Sequence, residues 1–385
     1  METNIDNGMA RDIYLDNAAT TRPDPAVLAA MARADSDCYA NASTVHRMGV
    51  AAGRLIERAR ASVAAALGAE LPEVVFTSGG TEANNLALKG AAAALADRGD
   101  HLIISAVEHP SVSRVAQALA CRGLRLSIAP VDREGVVDPA AVRSLLTGRT
   151  ILVSVMHANN ETGAIQPLHE IAMLCRAQGA LFHTDACQSF TRRPLDTRGL
   201  PADLVTVDAH KLHGPKGVGA LYVRRGLRLT PLLDGGGQEN GLRSGTYNTA
   251  GITGFGEAVA LAMRTDAAAI TTLRDRFEAR LAAAIPDVRI NGPVGNRLGT
   301  ISSVTLPRPD AKTLLHSLSR QGIYLSAGSA CAAGRTEPSQ VLLAMGLAPE
   351  AALRTVRVSL SRFTTEQEVD AAADALARAV REVGG

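Results

Sequence analysis

The sequence has no tryptophan, and aromatic residues make up only 3% of its 385 positions. Charge of either sign is not in excess: 40 lysines and arginines face 38 aspartates and glutamates, and no basic block stands out. Proteins that bind nucleic acid usually show a basic patch or aromatic side chains set among basic ones. We therefore expect no direct nucleic-acid partner.

Long apolar runs are also missing, since no segment approaches the ~20 apolar residues that a transmembrane helix needs. Residues 1–11 are polar and lack the basic-then-apolar order of a secretory signal. We expect a cytoplasmic protein with no membrane partner. The composition, 46% hydrophobic and 20% charged, is that of a globular chain long enough for two or three domains.

The five cysteines are an odd number, and no two of them form a Cys-x-x-Cys pair. This pattern argues against a disulfide framework and against a zinc site, so no metal is expected. Most cysteines should be small buried side chains. Cys331 differs because residues 327–334 around it are small and Arg335, nearby in sequence, favours the thiolate. We predict that Cys331 is an accessible nucleophile.

From about residue 45 to 260, short apolar runs alternate with longer segments rich in alanine and leucine. This alternation predicts an α/β fold with a mostly parallel central sheet wrapped by helices. One predicted helix covers residues 45–68, with Ser43 or Thr44 as its cap. After about residue 260 the alternation is less regular, which favours a smaller α+β domain.

Polar residues follow five of the apolar runs, at the point where each predicted strand ends. The five clusters are Gly80-Thr81, Glu108-His109, residues 159–161, residues 185–188 and His210-Lys211. Ligands of open α/β sheets bind at the carboxyl ends of the strands. The clusters therefore predict a ligand site along one edge of the sheet.

Lys211 lies in a glycine-rich loop between two apolar runs, residues 204–207 and 220–223. A lysine fixed between buried strands loses solvation, so its pKa falls and its amine becomes a usable nucleophile. A lysine that forms a Schiff base needs this property. The alternative is a basic hairpin on the surface.

Asp185 ends an apolar strand that precedes the Lys211 strand. A buried carboxylate needs a partner, and in a pyridoxal phosphate site an aspartate pairs with the protonated ring nitrogen. The alternative is a helix cap. Because both residues follow strands, we expect Asp185 and Lys211 at the same sheet edge.

Other motifs each allow a functional and a structural interpretation. Gly80 begins a helix whose free N–H groups suit a phosphate, or it belongs to a capped turn. His109 stacks on an aromatic ligand or serves in acid–base chemistry, or it caps a helix. Arg357, between apolar neighbours, binds a substrate carboxylate or an acidic side chain of the chain itself.

Together these motifs resemble the cysteine desulfurases, in the class V aminotransferase group of fold-type I pyridoxal phosphate enzymes. The matching segments, in the family's order, are residues 14–21, 76–82, 108–109, 157–163, 183–188, 210–217, 243–246, 328–331 and 337–339. The resemblance implies three parts: residues 1–18 packing with the small domain, a large cofactor-binding domain over 19–258, and a small domain over 259–385 that carries the Cys331 loop. It also implies a homodimer.

The resemblance also assigns roles to individual residues. The catalytic residues would be Lys211, which forms the Schiff base and moves the Cα proton, Cys331 and His109. The cofactor would be held by Gly80, Thr81, His109, Asn160, Asp185, Gln188, His210, Lys211 and Thr246 of the partner subunit. The substrate would be held by Asn17, Asn160 and Arg357.

Asp208 departs from the family pattern. The family usually has a phosphate-binding serine three residues before the lysine, and this chain has Asp208 there. A carboxylate beside a phosphate dianion is repelled unless it is protonated or turned away. This position therefore puts the phosphate contacts in question.

The implied reaction removes sulfur from L-cysteine, releases L-alanine and leaves a persulfide on Cys331, which passes to an acceptor protein. The alternatives are a selenocysteine lyase, a carbon–sulfur lyase that releases pyruvate, and a cofactor-binding protein without turnover. Iron–sulfur assembly, tRNA thiolation, DNA phosphorothioation and a sulfur-containing natural product all remain possible destinations for the sulfur.

Overall fold

The structure is a computed structural model that describes residues 12–308, 310–328 and 337–383. Its strands are β1 (Ile13–Tyr14), β2 (Val74–Thr77), β3 (His101–Ser105), β4 (Arg125–Ala129), β5 (Thr150–Ser154), β6 (Leu181–Asp185), β7 (Leu204–Asp208), β8 (Gly219–Val223), β9 (Arg289–Asn291), β10 (Ile301–Thr305), β11 (Ile323–Tyr324) and β12 (Thr355–Ser359). Its α-helices are α1 (Pro25–Asp37), α2 (Arg47–Leu67), α3 (Gly80–Ala94), α4 (Pro110–Ala120), α5 (Pro139–Leu145), α6 (Leu168–Gln178), α7 (Thr249–Ala262), α8 (Ala267–Ala284), α9 (Ala311–Ser319), α10 (Gln340–Ala344), α11 (Pro349–Leu353) and α12 (Glu366–Val383).

The central sheet has seven strands in the order β2-β8-β7-β6-β5-β3-β4. Five adjacent strands run parallel to one another, namely β7, β6, β5, β3 and β4. All strands but the edge strand β4 are buried along their whole length, as continuous apolar runs predict. The predicted mostly parallel sheet wrapped by helices is confirmed.

Strand β8 runs antiparallel to both β7 and β2. The loop between β7 and β8 contains only a short 3₁₀ turn, Ala209–Lys211, and no crossover helix. Without a crossover, the chain can return only beside the strand it has left, in the opposite direction. The loop that carries Lys211 therefore stays at the edge where β7 ends.

Helix α2 begins at Arg47, later than the sequence predicts, and the predicted cap at Ser43 or Thr44 is wrong. His46 is the cap, and its Nδ1 accepts a hydrogen bond from the Gly49 N–H at 3.2 Å. Thr44 instead closes a turn in which its hydroxyl donates to the Asn41 carbonyl at 2.7 Å. The Thr44 N–H donates to the same carbonyl at 3.1 Å, so Thr44 belongs to the turn that precedes the helix.

A second, antiparallel sheet has the order β12-β10-β9, and β1 pairs in parallel with β11. Leu15 lies in the same apolar cluster as residues of α8, α9 and α12. Asp16 forms a bridge with Ser359, so the segment after β1 lies against β12. The domain limits given above remain predictions. No helix of the described residues has the length and apolar character to cross a lipid bilayer.

A buried ion pair fastens β2 to the segment that precedes α7. The two Nη atoms of Arg60 donate to the two carboxylate oxygens of Glu239, at 2.8 and 2.7 Å. Glu239 also accepts from the Phe76 N–H at 2.8 Å, and Arg60 donates to the Val74 carbonyl. The pair thus fixes the strand that leads into α3.

Replacing Glu239 by alanine is expected to lower the free energy of unfolding by roughly 3–5 kcal/mol, because Arg60 would stay buried without a counter-charge. Urea unfolding followed by circular dichroism measures the change. Asp374→Ala is the matched control, since Asp374 pairs with Arg280 on the surface and exposed pairs contribute little. Equal losses in the two variants would contradict this role of Glu239.

Candidate active site

Lys211 lies in the turn after β7, with its amine pointing at the N-terminal segment. Its Nζ donates to the carbonyls of Ala18 and Ala19 at 2.7 and 2.9 Å. Burial lowers the pKa of Lys211 below its ordinary value, while Cys187 and Asp208 oppose that shift. A larger neutral fraction makes the amine a better nucleophile and proton acceptor.

Asp185 lies at the end of β6 and is only 6% exposed. One carboxylate oxygen accepts from the Cys187 N–H at 2.9 Å, and the other accepts from the Asn84 amide at 2.7 Å. No lysine or arginine forms an ion pair with it in the part of the chain that the structure describes. A buried carboxylate held in place but lacking a cationic side chain suits the protonated nitrogen of a bound ring.

Asn84 is a residue of this site that the sequence analysis missed. It is fully buried on α3, donates to Asp185, and also donates to the Ser111 hydroxyl at 2.8 Å. The only signal in the sequence is a polar side chain among the buried positions Ala83, Leu86 and Ala87 of the same helix. Through Ser111, Asn84 connects Asp185 to His109.

His109 is the cap residue of α4, where its Nδ1 accepts from the Ser111 N–H at 3.2 Å and contacts the Ser111 hydroxyl at 2.8 Å. Burial lowers the pKa of His109, and Lys211 lowers it too, whereas Asp185 raises it. The ring is therefore mostly neutral near pH 7. Its role against a ligand ring remains a prediction.

Gln188 and Asn160 lie near the same edge. The Gln188 amide donates to the Ala18 carbonyl at 2.9 Å, so Gln188 and Lys211 hold the same segment. The Asn160 backbone carbonyl accepts from Arg357 at 3.0 Å. The first contact places Gln188 next to Lys211 and the second places Asn160 next to Arg357, while the ligand contacts of both remain predictions.

Arg357 on β12 is 1% exposed and pairs with Asp16 at 2.8 Å. Asp16 is thus an intramolecular acidic partner of Arg357, the alternative given in the sequence analysis. Its Nε has no hydrogen-bond partner among the described residues. Asn17 uses its amide to donate to the Ser359 and Tyr14 carbonyls, so it fastens the N-terminal segment to β12. Substrate binding by Arg357 and Asn17 remains a prediction.

The predicted phosphate end lies where α3 begins. The Gly80 N–H donates to the Asp208 carboxylate at 2.6 Å, and Thr81 is exposed in the first turn. His210 contacts the Thr20 hydroxyl through Nδ1 at 3.0 Å, and burial lowers the pKa of His210 to about 3. These groups suit a phosphate, except that the Gly80 N–H, one of the donors for a phosphate, is already bound to Asp208.

Two predicted residues are not brought to this cluster. Among the described residues, no hydrogen bond links Thr246 to it, so a contribution of Thr246 to the site of a partner subunit remains a prediction. Cys331 lies outside the described residues. No group of three or more histidine, cysteine, aspartate or glutamate side chains in the described ranges could hold a metal ion.

The chain resembles known proteins along nearly its whole length. The family model for class V aminotransferases matches residues 13–372. The cysteine desulfurase IscS of Dictyoglomus turgidum is 41% identical over 378 residues, which cover 97% of this chain and 96% of that protein. A cysteine desulfurase of Trichormus azollae is 44% identical over 361 residues, 93% of this chain and 90% of its own.

Among solved structures, a NifS-like protein superposes with a TM-score of 0.90 at 35% identity, covering 96% of this chain and all of that one. The chain thus has, along nearly its whole length, the fold of this relative. It belongs to the class V aminotransferase family and, within it, to the cysteine desulfurases.

Proposed function

We infer that this chain is a pyridoxal phosphate-dependent cysteine desulfurase that takes sulfur from L-cysteine, releases L-alanine and passes the sulfur to an acceptor protein through Cys331. The observation that carries this inference is the presence, in one site, of a lysine of lowered pKa, Lys211, and a buried carboxylate, Asp185, with which no lysine or arginine of the described residues forms an ion pair. The family membership and the Cys331 motif supply the sulfur chemistry.

Pyridoxal phosphate, when bound, withdraws electrons from the Cα atom of an amino-acid substrate. The part of Asp185 would be to hold a positive charge on the ring nitrogen, and Asn84 and the Cys187 N–H fix its two oxygens for that purpose. A neutral His109 ring beside it adds no charge that would compete. The site is thus arranged to stabilise negative charge developing at the substrate carbon.

Lys211 would attach the cofactor and move the proton of the substrate Cα atom. The Ala18 and Ala19 carbonyls hold its amine, and both belong to the segment that Gln188 and Asn17 fasten. This support keeps the proton acceptor in one place. Loss of solvation lets the amine accept a proton and return it.

Cys331 would attack the sulfur atom of the substrate as a thiolate. The new S–S bond forms as the Cβ–S bond breaks, and the electron pair of the broken bond stays on the carbon. Protonation of that carbon gives the methyl group of alanine. The persulfide on Cys331 then gives its terminal sulfur to a thiol of the acceptor.

The substrate carboxylate is assigned to Arg357, helped by Asn160. Arg357 already pairs with Asp16, so a bound carboxylate would share the guanidinium with that side chain or use its unbonded Nε. A planar guanidinium has five N–H donors and can serve two carboxylates. The solved structure "SspA in complex with cysteine", with a TM-score of 0.83 at 35% identity over 91% of this chain and 99% of its own, supports cysteine as the substrate class.

A homodimer is part of the proposal, with Thr246 of the partner subunit at the phosphate. Large apolar side chains near the start of α2 support an interface: Tyr39, Val45, Met48 and Val50 are exposed, with Val45 at 96%. Neighbouring exposed apolar residues favour contact with another protein surface.

The direct test gives the cofactor-loaded protein L-cysteine and identifies the products. We expect L-alanine in amounts equal to the sulfur transferred, because the Cys331 thiolate attacks the substrate sulfur and no elimination takes place. Amino-acid analysis measures alanine, and a keto-acid assay measures pyruvate. Pyruvate as the main product would point to a carbon–sulfur lyase, and cofactor binding without either product would point to a binding protein.

A further inference from the structure

Asp208, at the end of β7, places its carboxylate at the N-terminus of α3. Oδ2 accepts from the Gly80 N–H at 2.6 Å, and Oδ1 accepts from the His210 N–H at 3.2 Å. Asp208 as a whole is only 7% exposed. A Cβ atom on Gly80 would lie 3.2 Å from Oδ2, so α3 and the carboxylate are in close contact.

A phosphate bound at the N-terminus of α3 would lie next to the Asp208 carboxylate. The Gly80 N–H is the donor that both anions would use, and a carboxylate and a phosphate dianion at hydrogen-bond distance repel each other. A protonated acid behaves differently, because its O–H donates to a phosphate oxygen while its carbonyl oxygen still accepts from an N–H.

We propose that Asp208 couples binding of the cofactor phosphate to uptake of one proton: as a neutral acid it donates to the phosphate, and as a carboxylate it competes with the phosphate for the Gly80 N–H. This inference rests on the proposed function, since it takes the phosphate of pyridoxal phosphate as the ligand. Asp208 would thus raise the affinity for the cofactor when it is protonated and lower that affinity when it is ionised.

The surroundings of Asp208 leave it able to titrate in the physiological range. Burial raises the pKa of Asp208 to about 6, the Gly80 and His210 N–H groups and Lys211 oppose that rise, and Asp185 adds to it. The titratable and charged groups that face it or lie on the packed elements are Lys211, Asp185, Cys187, His210 and the Glu82–Arg243 pair.

Cys187 and His210 keep one charge state in this range. Burial raises the pKa of the Cys187 thiol far above its ordinary value and lowers the pKa of His210 to about 3, so both stay neutral. Asp208, in contrast to these two neighbours, changes charge near neutral pH. A phosphate dianion beside it would raise its pKa further.

The direction of the pH effect follows from that rise. Binding takes up a proton between the pKa of the free protein, about 6, and the higher pKa of the complex. In that range the affinity contributed by Asp208 falls as pH rises, by up to about tenfold per pH unit, and at lower pH the contribution is constant. Above both pKa values the contribution is constant again.

The test compares the protein with its Asp208→Asn variant, whose amide donates like the protonated acid and accepts like its carbonyl oxygen. Equilibrium dialysis gives the Kd for pyridoxal phosphate across the range from about pH 6 to about pH 8, above the Asp208 pKa of the free protein. We expect the unmodified protein to lose affinity with rising pH more steeply than the variant, by about tenfold per pH unit. Calorimetry in two buffers should show about one more proton taken up by the unmodified protein.

Asp208 also raises the pKa of Lys211, so its replacement changes the titration of Lys211 as well. Pyridoxal is the control ligand for that effect: it lacks the phosphate, so the difference in pH slope between the two proteins should be much smaller with pyridoxal than with pyridoxal phosphate. Asp208→Ser gives a second donor in case the asparagine variant folds poorly, and thermal unfolding checks both.

Equal pH slopes and equal proton uptake in the unmodified protein and the variants would overturn the inference while leaving the proposed function intact. A difference that appears with pyridoxal as strongly as with pyridoxal phosphate would overturn it too. If the unmodified protein binds no pyridoxal phosphate at any pH, the proposed function fails together with the inference.

Discussion

Alanine release from L-cysteine is expected to fall by about 10⁴-fold or more when Lys211 is replaced by alanine. Lys211 is assigned both the attachment of the cofactor and the transfer of the Cα proton, so its removal takes away two steps at once. Lys216, the other lysine of the same loop, is exposed and so is not placed to replace it. The measurement is the rate of alanine formation with saturating cofactor and substrate.

Lys216→Ala is the matched control, because it removes a lysine from the same loop without touching the residues around Ala18. Its alanine rate should stay within about twofold of the unmodified protein, as surface substitutions rarely matter. Lys211→Arg keeps the charge but cannot act as a neutral amine, so it should be as inactive as the alanine variant. Alanine release by Lys211→Ala above a tenth of the normal rate would refute the assigned role.

The parallel sheet could be predicted from the sequence because its strands are buried on both faces. Residues 102–104 and 151–153 are continuous apolar runs between helical segments, residues 181–185 begin with Leu181-Phe182, and each of the three forms a buried strand close to the expected limits. The direction of β8 follows from a loop without a crossover helix, a feature that the run 220–223 itself does not contain. Local patterns give elements, whereas direction depends on the connection.

Helix caps were less predictable than helices. Ser43 and Thr44 have the right chemistry for the start of α2, yet His46 takes that role. The turn that binds the Thr44 hydroxyl to the Asn41 carbonyl competes with capping and is favoured here. Such competition between local hydrogen bonds is decided by the surrounding backbone, which the residue types alone do not specify.

In the candidate site, the chemistry-bearing residues could be predicted, but their supporting partners could not. Asp185 and Lys211 follow apolar runs, so their place at one sheet edge is a consequence of the fold class. Asp16 lies 341 positions before Arg357, and Asn84 lies 101 positions before Asp185. No spacing rule connects residues so distant, so these partners appear only once the chain is folded.

Asp208 is a further residue whose contacts could not be predicted from the sequence. Its carboxylate could be recognised from the sequence as unusual for a phosphate site, but its hydrogen bond to the Gly80 N–H comes from the packing of α3 against the end of β7. Because of that contact, binding of a phosphate at this place would depend on whether Asp208 is protonated. The same packing buries Asp208 and raises its pKa to about 6, so its protonation state changes near neutral pH.

Replacing Cys331 by alanine is expected to abolish persulfide formation and to lower alanine release by roughly 10³-fold or more, while cofactor binding is kept. Cys331 lies outside the described residues, so the prediction rests on its sequence motif and on the family. The persulfide is detected by mass spectrometry of the alkylated protein after exposure to L-cysteine. Visible absorbance of the bound cofactor checks that the site is otherwise intact.

Cys121→Ala is the matched control, since Cys121 is a free, exposed cysteine at the end of α4 and should leave persulfide formation unchanged. Cys187, next to Asp185, and Cys175, in the apolar core, are poor substitutes for Cys331. Burial raises the pKa of Cys175 to about 12 and that of Cys187 far above its ordinary value, so neither supplies a thiolate near neutral pH. Undiminished sulfur transfer by Cys331→Ala would therefore require a nucleophile other than these two, and it would refute the mechanism proposed for this chain.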